Sequence, residues 1–255
     1  MTLTALDFGI LLPAFAAGLL VTATHVPLGQ QVLDRGIVFI DIAIAQIAGC
    51  GVILADWIGL EPQGMLVQLS ALAAALAGAL LLTWTEKKWP QVQEAMIGTV
   101  FVLAASGALL LLASNPHGGE HLKDLLVGQI LWVNWSRVGT VALFYAMILA
   151  AWFGLGERRL GRVGFYVLFA CAVTVSVQLV GLYLVFASLI VPALAVRHYR
   201  RRKLRMGYVV GAAGYAIGLA CSAVFDLPSG AAVVWTLAAV GFVCYTLGPP
   251  PSAPS

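Results

Sequence analysis

The stretch LVFASLIVPALAVRHYRRRKLR, Leu184 to Arg205, decides how this chain is read. Thirteen almost wholly apolar residues, Leu184 to Val196, run into nine of which six are Lys or Arg. Such a junction fits a helix leaving a bilayer on the side where basic residues are retained. The totals agree: 61% of the 255 residues are hydrophobic and 10% charged, with mean hydropathy +0.97. A soluble domain carries about 25% charged residues, so this composition leaves too little polar surface for a water-soluble globule. The chain reads as an integral membrane protein.

Pattern separates helix from barrel. Lipid-facing barrel strands alternate apolar and polar over about 10 residues. Here the apolar runs are continuous for about 17–22 residues, enough to cross the hydrocarbon as helix. Predicted spans are 8–24, 37–57, 64–84, 93–113, 137–155, 163–178, 181–197, 206–225 and 230–247. The unbroken apolar stretch 163–197 is too long for one span, and its break is expected between Gln178 and Gly181. His121–Trp135 is short and amphipathic, the pattern of an interfacial or re-entrant helix. The N-terminus has Asp7 and no basic region, which argues against a cleaved signal peptide. Cys50, Cys171, Cys221 and Cys244 lie inside apolar runs without CxxC spacing and read as reduced packing residues.

Placing the connection that holds Arg35 on the cytoplasmic side puts twelve of fourteen basic residues there, leaving Lys123 and Arg137 outside. Asp7, Asp56, Glu61, Glu120, Asp124 and Asp226 fall on the opposite face. The expected topology is therefore N-terminus outside and C-terminus inside. Trp57, Trp84, Trp89, Trp132, Trp135 and Trp152 sit near predicted span ends, as interfacial rings do. The small residues of AALAGAL, GCG and Gly211–Ala220 allow close helix approach, either within one subunit or at a dimer seam. Ser229 is expected to cap the last span after the rigid turn at Pro228.

Asp41 lies inside the second span, where an ionised carboxylate is costly and ordinarily lines a pathway or a water-filled cavity. A structural hydrogen bond or ion pair is the other reading. His117, Glu120 and His121 share an outside loop, in which Gly118 and Gly119 disfavour a helical His pair. His25 and His198 fall near cytoplasmic span ends and read as interfacial, and Glu94 reads as a favourable charge at the N-terminus of span four.

LVGLYLVFASLIVPALAVRHYRR resembles the signature of permease subunits of bacterial metal-ion ABC importers, the zinc/manganese (ABC-3) family. EAMIGTVFVLAASGALLLL (Glu94–Leu112), DLLVGQILWV (Asp124–Val133) and DLPSGAAVV (Asp226–Val234) are similar to other stretches of that family, in order. The resemblance implies an all-α, polytopic membrane helical bundle of about 8–9 transmembrane helices with a cobalamin-permease-like (type II) ABC importer architecture. It implies one permease domain over 1–248 with a Pro/Ser-rich disordered tail over 249–255. It also implies a homodimer in the bacterial cytoplasmic (inner) membrane, cytoplasmic ATPase subunits, an extracytoplasmic metal-binding protein and a divalent metal as cargo.

No GxxxxGK[ST] loop is present, so ATP would be hydrolysed on the partner subunit and the chain itself is not an enzyme. The segment after Pro192, with Arg197, Arg200, Arg201, Arg202 and Lys203, would be the coupling element for the ATPase. Attraction to anionic lipid is the plainer reading of that charge. Asp41 and Gln46 would line the substrate pathway, with Asp41, His117 and His121 as candidate metal contacts. The family's second span carries GDALSH, whereas this chain has Asp41 at the Gly, Ile42 at the Asp and Gln46 at the His. That departure weakens zinc and suits manganese or ferrous iron. An iron-chelate or cobalamin permease is the alternative, but those chains are longer and their Pro is followed by His, where Ala193 stands here. A secondary transporter would need paired repeats and broken helices, which the sequence does not display.

Overall fold

A computed structural model describes residues 8–60, 64–112, 130–199 and 201–249. Among these residues nine α-helices form and no strand does. They are α1 Phe8–Arg35, α2 Ile40–Trp57, α3 Met65–Lys88, α4 Gln93–Leu112, α5 Trp135–Gly156, α6 Arg159–Val180, α7 Leu182–Ala195, α8 Lys203–Phe225 and α9 Ser229–Thr246. Among the described residues α1, α2, α3, α5, α6, α8 and α9 are long and apolar enough to cross a membrane, and α7 is a shorter apolar helix. A backbone in lipid must satisfy its own polar groups, and continuous helices do so.

Boundaries follow the chemistry at each break. α1 runs 28 residues, through Pro13 and Pro27, and ends at Arg35 rather than near residue 24. That length is about 42 Å, more than the hydrocarbon thickness. α5 and α6 follow one another across Gly156 (φ 68°) and Gly161 (φ 59°), left-handed positions that glycine tolerates without a Cβ clash. The expected break in the long apolar stretch falls at Gly181, φ 85°, which precedes α7. Of the stretch 121–135, residues before 130 lie outside the described residues; Ile130–Trp132 is a single 3-10 turn and α5 starts at Trp135. The cap of α9 differs from expectation. Pro228 is its N-cap, with no side-chain cap bond, and Ser229 is already inside the helix. Pro228 supplies its carbonyl to the Ala232 N–H at 2.9 Å instead.

The chain divides into two compact units. The first comprises Met1–Arg35, Val127–Tyr145 and Leu179–Ser255. In it α1 packs on α7 and α8, and α9 packs on α7 and α8. Small residues make these seams. Gly29 lies against the Leu189 carbonyl of α7, Gly211 against Thr22, and Gly214 and Gly218 against Leu237 and Val233 of α9. The small-residue spacing in α8 therefore serves packing within the subunit. A buried hydroxyl pair, Ser188 and Tyr215 at 2.8 Å, joins α7 to α8.

The second unit comprises Gly36–Leu126 and Ala146–Gln178. Here α2 packs on α3 and α4. Gly51 lies against Ser70 and Ala71, Gly78 lies against Ile47, and the Ser70 hydroxyl donates to the Gly51 carbonyl at 2.7 Å. All four cysteines are free thiols, and Cys50 donates to the Ala104 carbonyl of α4 at 2.9 Å.

Candidate cation-pathway and coupling residues

Asp41 is the second residue of α2 and is fully buried. Its Oδ1 accepts the Ile42 N–H at 2.8 Å, and its Oδ2 is buried with no hydrogen-bond partner. Gln46 is half-buried on the same regular helix. Five residues separate the two, about 140° around the helix, so they do not share a face.

The other side of this corner is the start of α4. Gln93 is buried, donates to the Leu82 carbonyl at 3.0 Å and to the Tyr166 hydroxyl at 3.3 Å, and accepts from the Thr85 hydroxyl at 3.0 Å. This network, complete at every polar atom of the Gln93 amide group, fixes where α4 begins. The next residue, Glu94, reaches α2: its Oε1 accepts the Phe39 N–H at 3.3 Å, while its Oε2 is buried and unpartnered. Sequence reasoning saw only a helix-end charge here. An acid in the first turn of two apolar helices, α2 and α4, was the available signal. An apolar cavity of about 690 Å³ is lined by Phe39, Ile42, Ala95, Gly98, Phe101 and Val102, among others, and neither Asp41 nor Glu94 is in its wall.

His25 is not interfacial. Because α1 continues to Arg35, His25 falls in the helix interior and is fully buried, with Nδ1 3.0 Å from the Val21 carbonyl and 3.0 Å from the Thr24 hydroxyl. Only a protonated Nδ1 can donate to that carbonyl, so Nε2 is the bare nitrogen, and it has no partner. His117, Glu120 and His121 lie outside the described residues. Among the described residues, no three His, Cys, Asp or Glu side chains are grouped to hold a metal ion.

The basic block is not one uniform strip. Pro192 is buried in α7, which stops at Ala195, and the turn closes with the Val196 N–H on the Pro192 carbonyl at 3.3 Å. Arg197 folds back on α9: its guanidinium donates to the Tyr245 hydroxyl at 3.3 Å and lies 5.5 Å from that ring, and its Nε donates to His198 at 2.9 Å. The Tyr199 hydroxyl donates to the Cys244 carbonyl at 3.3 Å. Lys203 opens α8 with its Nζ 3.9 Å from Asp34 at the end of α1. Arg201 and Arg202 are exposed, and Arg202 makes the corner into α8 with a left-handed backbone, φ 61°. Arg200 lies outside the described residues. The expected coupling segment thus has tied ends and an exposed middle.

Comparison with known proteins completes the picture. The model of the ABC 3 transport family matches residues 7–160 and 154–247. The manganese transport system membrane protein MntC of Listeria monocytogenes is 30% identical over 247 residues, covering 87% of this chain and 85% of that one. The high-affinity zinc uptake system membrane protein ZnuB of Haemophilus influenzae is 22% identical, covering 89% of this chain and 93% of that one. Among solved structures, PsaBC from Streptococcus pneumoniae superposes with a TM-score of 0.74 at 20% identity, over 95% of this chain and 91% of that chain. The all-helical fold of a membrane permease and a family match over nearly the whole length agree: this chain belongs to the ABC 3 transport family.

Proposed function

We propose that this chain is the permease subunit of an ATP-binding cassette importer that carries a divalent transition-metal ion, zinc, manganese or iron, across the bacterial cytoplasmic membrane. The observation that carries the reading is the family match over 7–160 and 154–247. Relatives named for manganese and zinc transport support the cargo class. In this reading two copies form the pathway, with N-termini outside and C-termini inside, and residues 1–248 act as one permease domain. ATP is hydrolysed on a separate cytoplasmic subunit, and an extracytoplasmic protein delivers the metal.

Asp41 contacts the ion and Gln46 lines the route farther along α2. The oxygen character of these side chains favours manganese or ferrous iron over zinc. The exposed Arg201–Arg202 corner, held between the Arg197–Tyr245 and Lys203–Asp34 contacts, seats in the ATPase. Replacing Arg200–Lys203 by Ala tests this. ATPase co-purification or metal-stimulated ATP hydrolysis is expected to fall while membrane insertion stays normal. Unchanged co-purification and uptake would refute the coupling role.

A further inference from the structure

The end of α3 carries a cationic cluster that the transport reading does not use. The largely apolar stretch Met65–Leu82 is about 27 Å of helix, close to the hydrocarbon thickness. Thr83–Lys88 therefore stand at headgroup level. There the helix stops: Trp89 leaves helical geometry with its N–H on the Thr85 carbonyl at 2.7 Å, and a 3-10 turn over Pro90–Val92 leads into α4. The Trp89 ring meets the Trp84 ring edge to face, with centroids 5.2 Å apart. Lys88 lies over both, its Nζ 5.0 Å from the Trp84 centroid and 4.8 Å from that of Trp89. The two rings and the ammonium thus form one cluster, within the range at which a ring face attracts a cation.

All three side chains are exposed. The acid of this segment is engaged elsewhere: Glu86 lies 3.9 Å from Arg162 of α6, and two residues from Lys88 it falls about 200° around the helix. An interfacial anchor needs only the rings. What the cluster adds is a set of donors without an acceptor, three N–H on the Lys88 ammonium and one on each indole. Among the described residues none of these donors has a hydrogen-bond or ion-pair partner. The rings hold the ammonium from one side and leave its other side open to the headgroups. Such a group suits a phosphate oxygen, whereas a choline head is repelled by the ammonium already at the rings.

We propose that Lys88, positioned by Trp84 and Trp89, binds the phosphate of an anionic phospholipid at the α3–α4 corner. In the topology proposed above this end of α3 faces the cytoplasm, so the lipid belongs to the inner leaflet. It braces from outside the corner that Gln93 fixes from within through Thr85 and the Leu82 carbonyl. The site stands apart from the cargo pathway, and its failure leaves the permease reading untouched.

The test titrates the purified full chain in detergent with phosphatidylglycerol, and separately with phosphatidylcholine of the same chain length, and reads retained lipid by native mass spectrometry. The unmodified chain is expected to retain phosphatidylglycerol preferentially. Lys88→Gln is expected to weaken the tightest retained phosphatidylglycerol by about fivefold, one basic residue's share beside anionic headgroups, and to leave phosphatidylcholine unchanged. Trp84→Leu keeps every charge and should weaken it by about twofold, the share of one exposed ring contact. Lys87→Gln makes the same charge change one residue away, and in a micelle with no bulk anionic surface it should cost less than twofold. Equal losses in Lys87→Gln and Lys88→Gln, or equal retention of the two lipids by the unmodified chain, overturn the site. Unchanged retention in Trp84→Leu overturns the positioning role of the rings, and this variant decides the matter should Lys88→Gln fail to fold. Displacement of the lipid by millimolar inorganic phosphate would make this a site for free phosphate and overturn the lipid assignment.

Discussion

Gly29→Ala would strike the closest approach in the first unit. A Cβ built at position 29 falls directly on the Leu189 carbonyl oxygen, 3.0 Å from the Leu189 carbonyl carbon and 3.3 Å from the Ala193 Cβ. The obstacle is backbone, which cannot turn aside as a side-chain tip can. α1 and α7 would have to part by on the order of 1 Å to restore ordinary contact. Overpacking costs about 1–3 kcal/mol, and a backbone clash belongs at the upper end. The higher helix propensity of Ala returns up to about 1 kcal/mol. The net expectation is about 2 kcal/mol, or about 4–8 °C in Tm for a chain of this size. Thermal unfolding of the detergent-purified protein, read by loss of monodisperse elution, measures it. Gly139→Ala on α5, which meets nothing within 4 Å, is the control and should melt at or slightly above the unmodified protein. Equal melting of the two variants would refute the packing of α1 on α7.

Ser188 and Tyr215 predict an asymmetry. In Tyr215→Phe the Ser188 hydroxyl keeps the Leu184 carbonyl at 2.6 Å, so the loss should be about 0.6 kcal/mol, the membrane average for such bonds. Ser188→Ala strands a fully buried phenol hydroxyl and should cost more, about 1–3 kcal/mol; equal melting shifts would show the pair does not bond. Asp41→Asn preserves the bond to Ile42 and is expected to cut metal uptake in cells while the purified protein elutes unchanged. Normal uptake would make Asp41 a structural residue.

The membrane-helical fold was legible because hydrophobicity is a bulk property of long segments. The break at Gly181 and the turn between α5 and α6 were readable from length and from the basic cluster Arg158, Arg159 and Arg162. Finer features were not. Nothing local distinguishes a span that ends near residue 24 from one that continues through Pro27 to Arg35, and the error moved His25 from an interface to an interior. Ser229 has the right residue type for a cap, but the chain turns one residue earlier. Asp41 stood out because a carboxylate in an apolar run is rare, whereas Glu94 at a helix start is ordinary until the Phe39 contact appears. The basic block read as a single charge cluster because the tertiary partners of its ends, Tyr245 and Asp34, lie far away along the chain.

The first unit is sewn from both extremities of the polypeptide, α1 at one and α7, α8 and α9 at the other. During synthesis α1 emerges first, yet the surfaces that cover Gly18, Thr22 and Gly29 are made only when α7 and α8 arrive. At about 5–20 residues per second that interval is on the order of ten to forty seconds. Through that interval α1 must be sheltered by the insertion machinery or by lipid, with its imidazole and hydroxyls still uncovered. A ribosome that stops before α7 therefore leaves a polar stripe in the bilayer that the finished protein never displays, a ready mark by which membrane proteolysis can tell fragment from product.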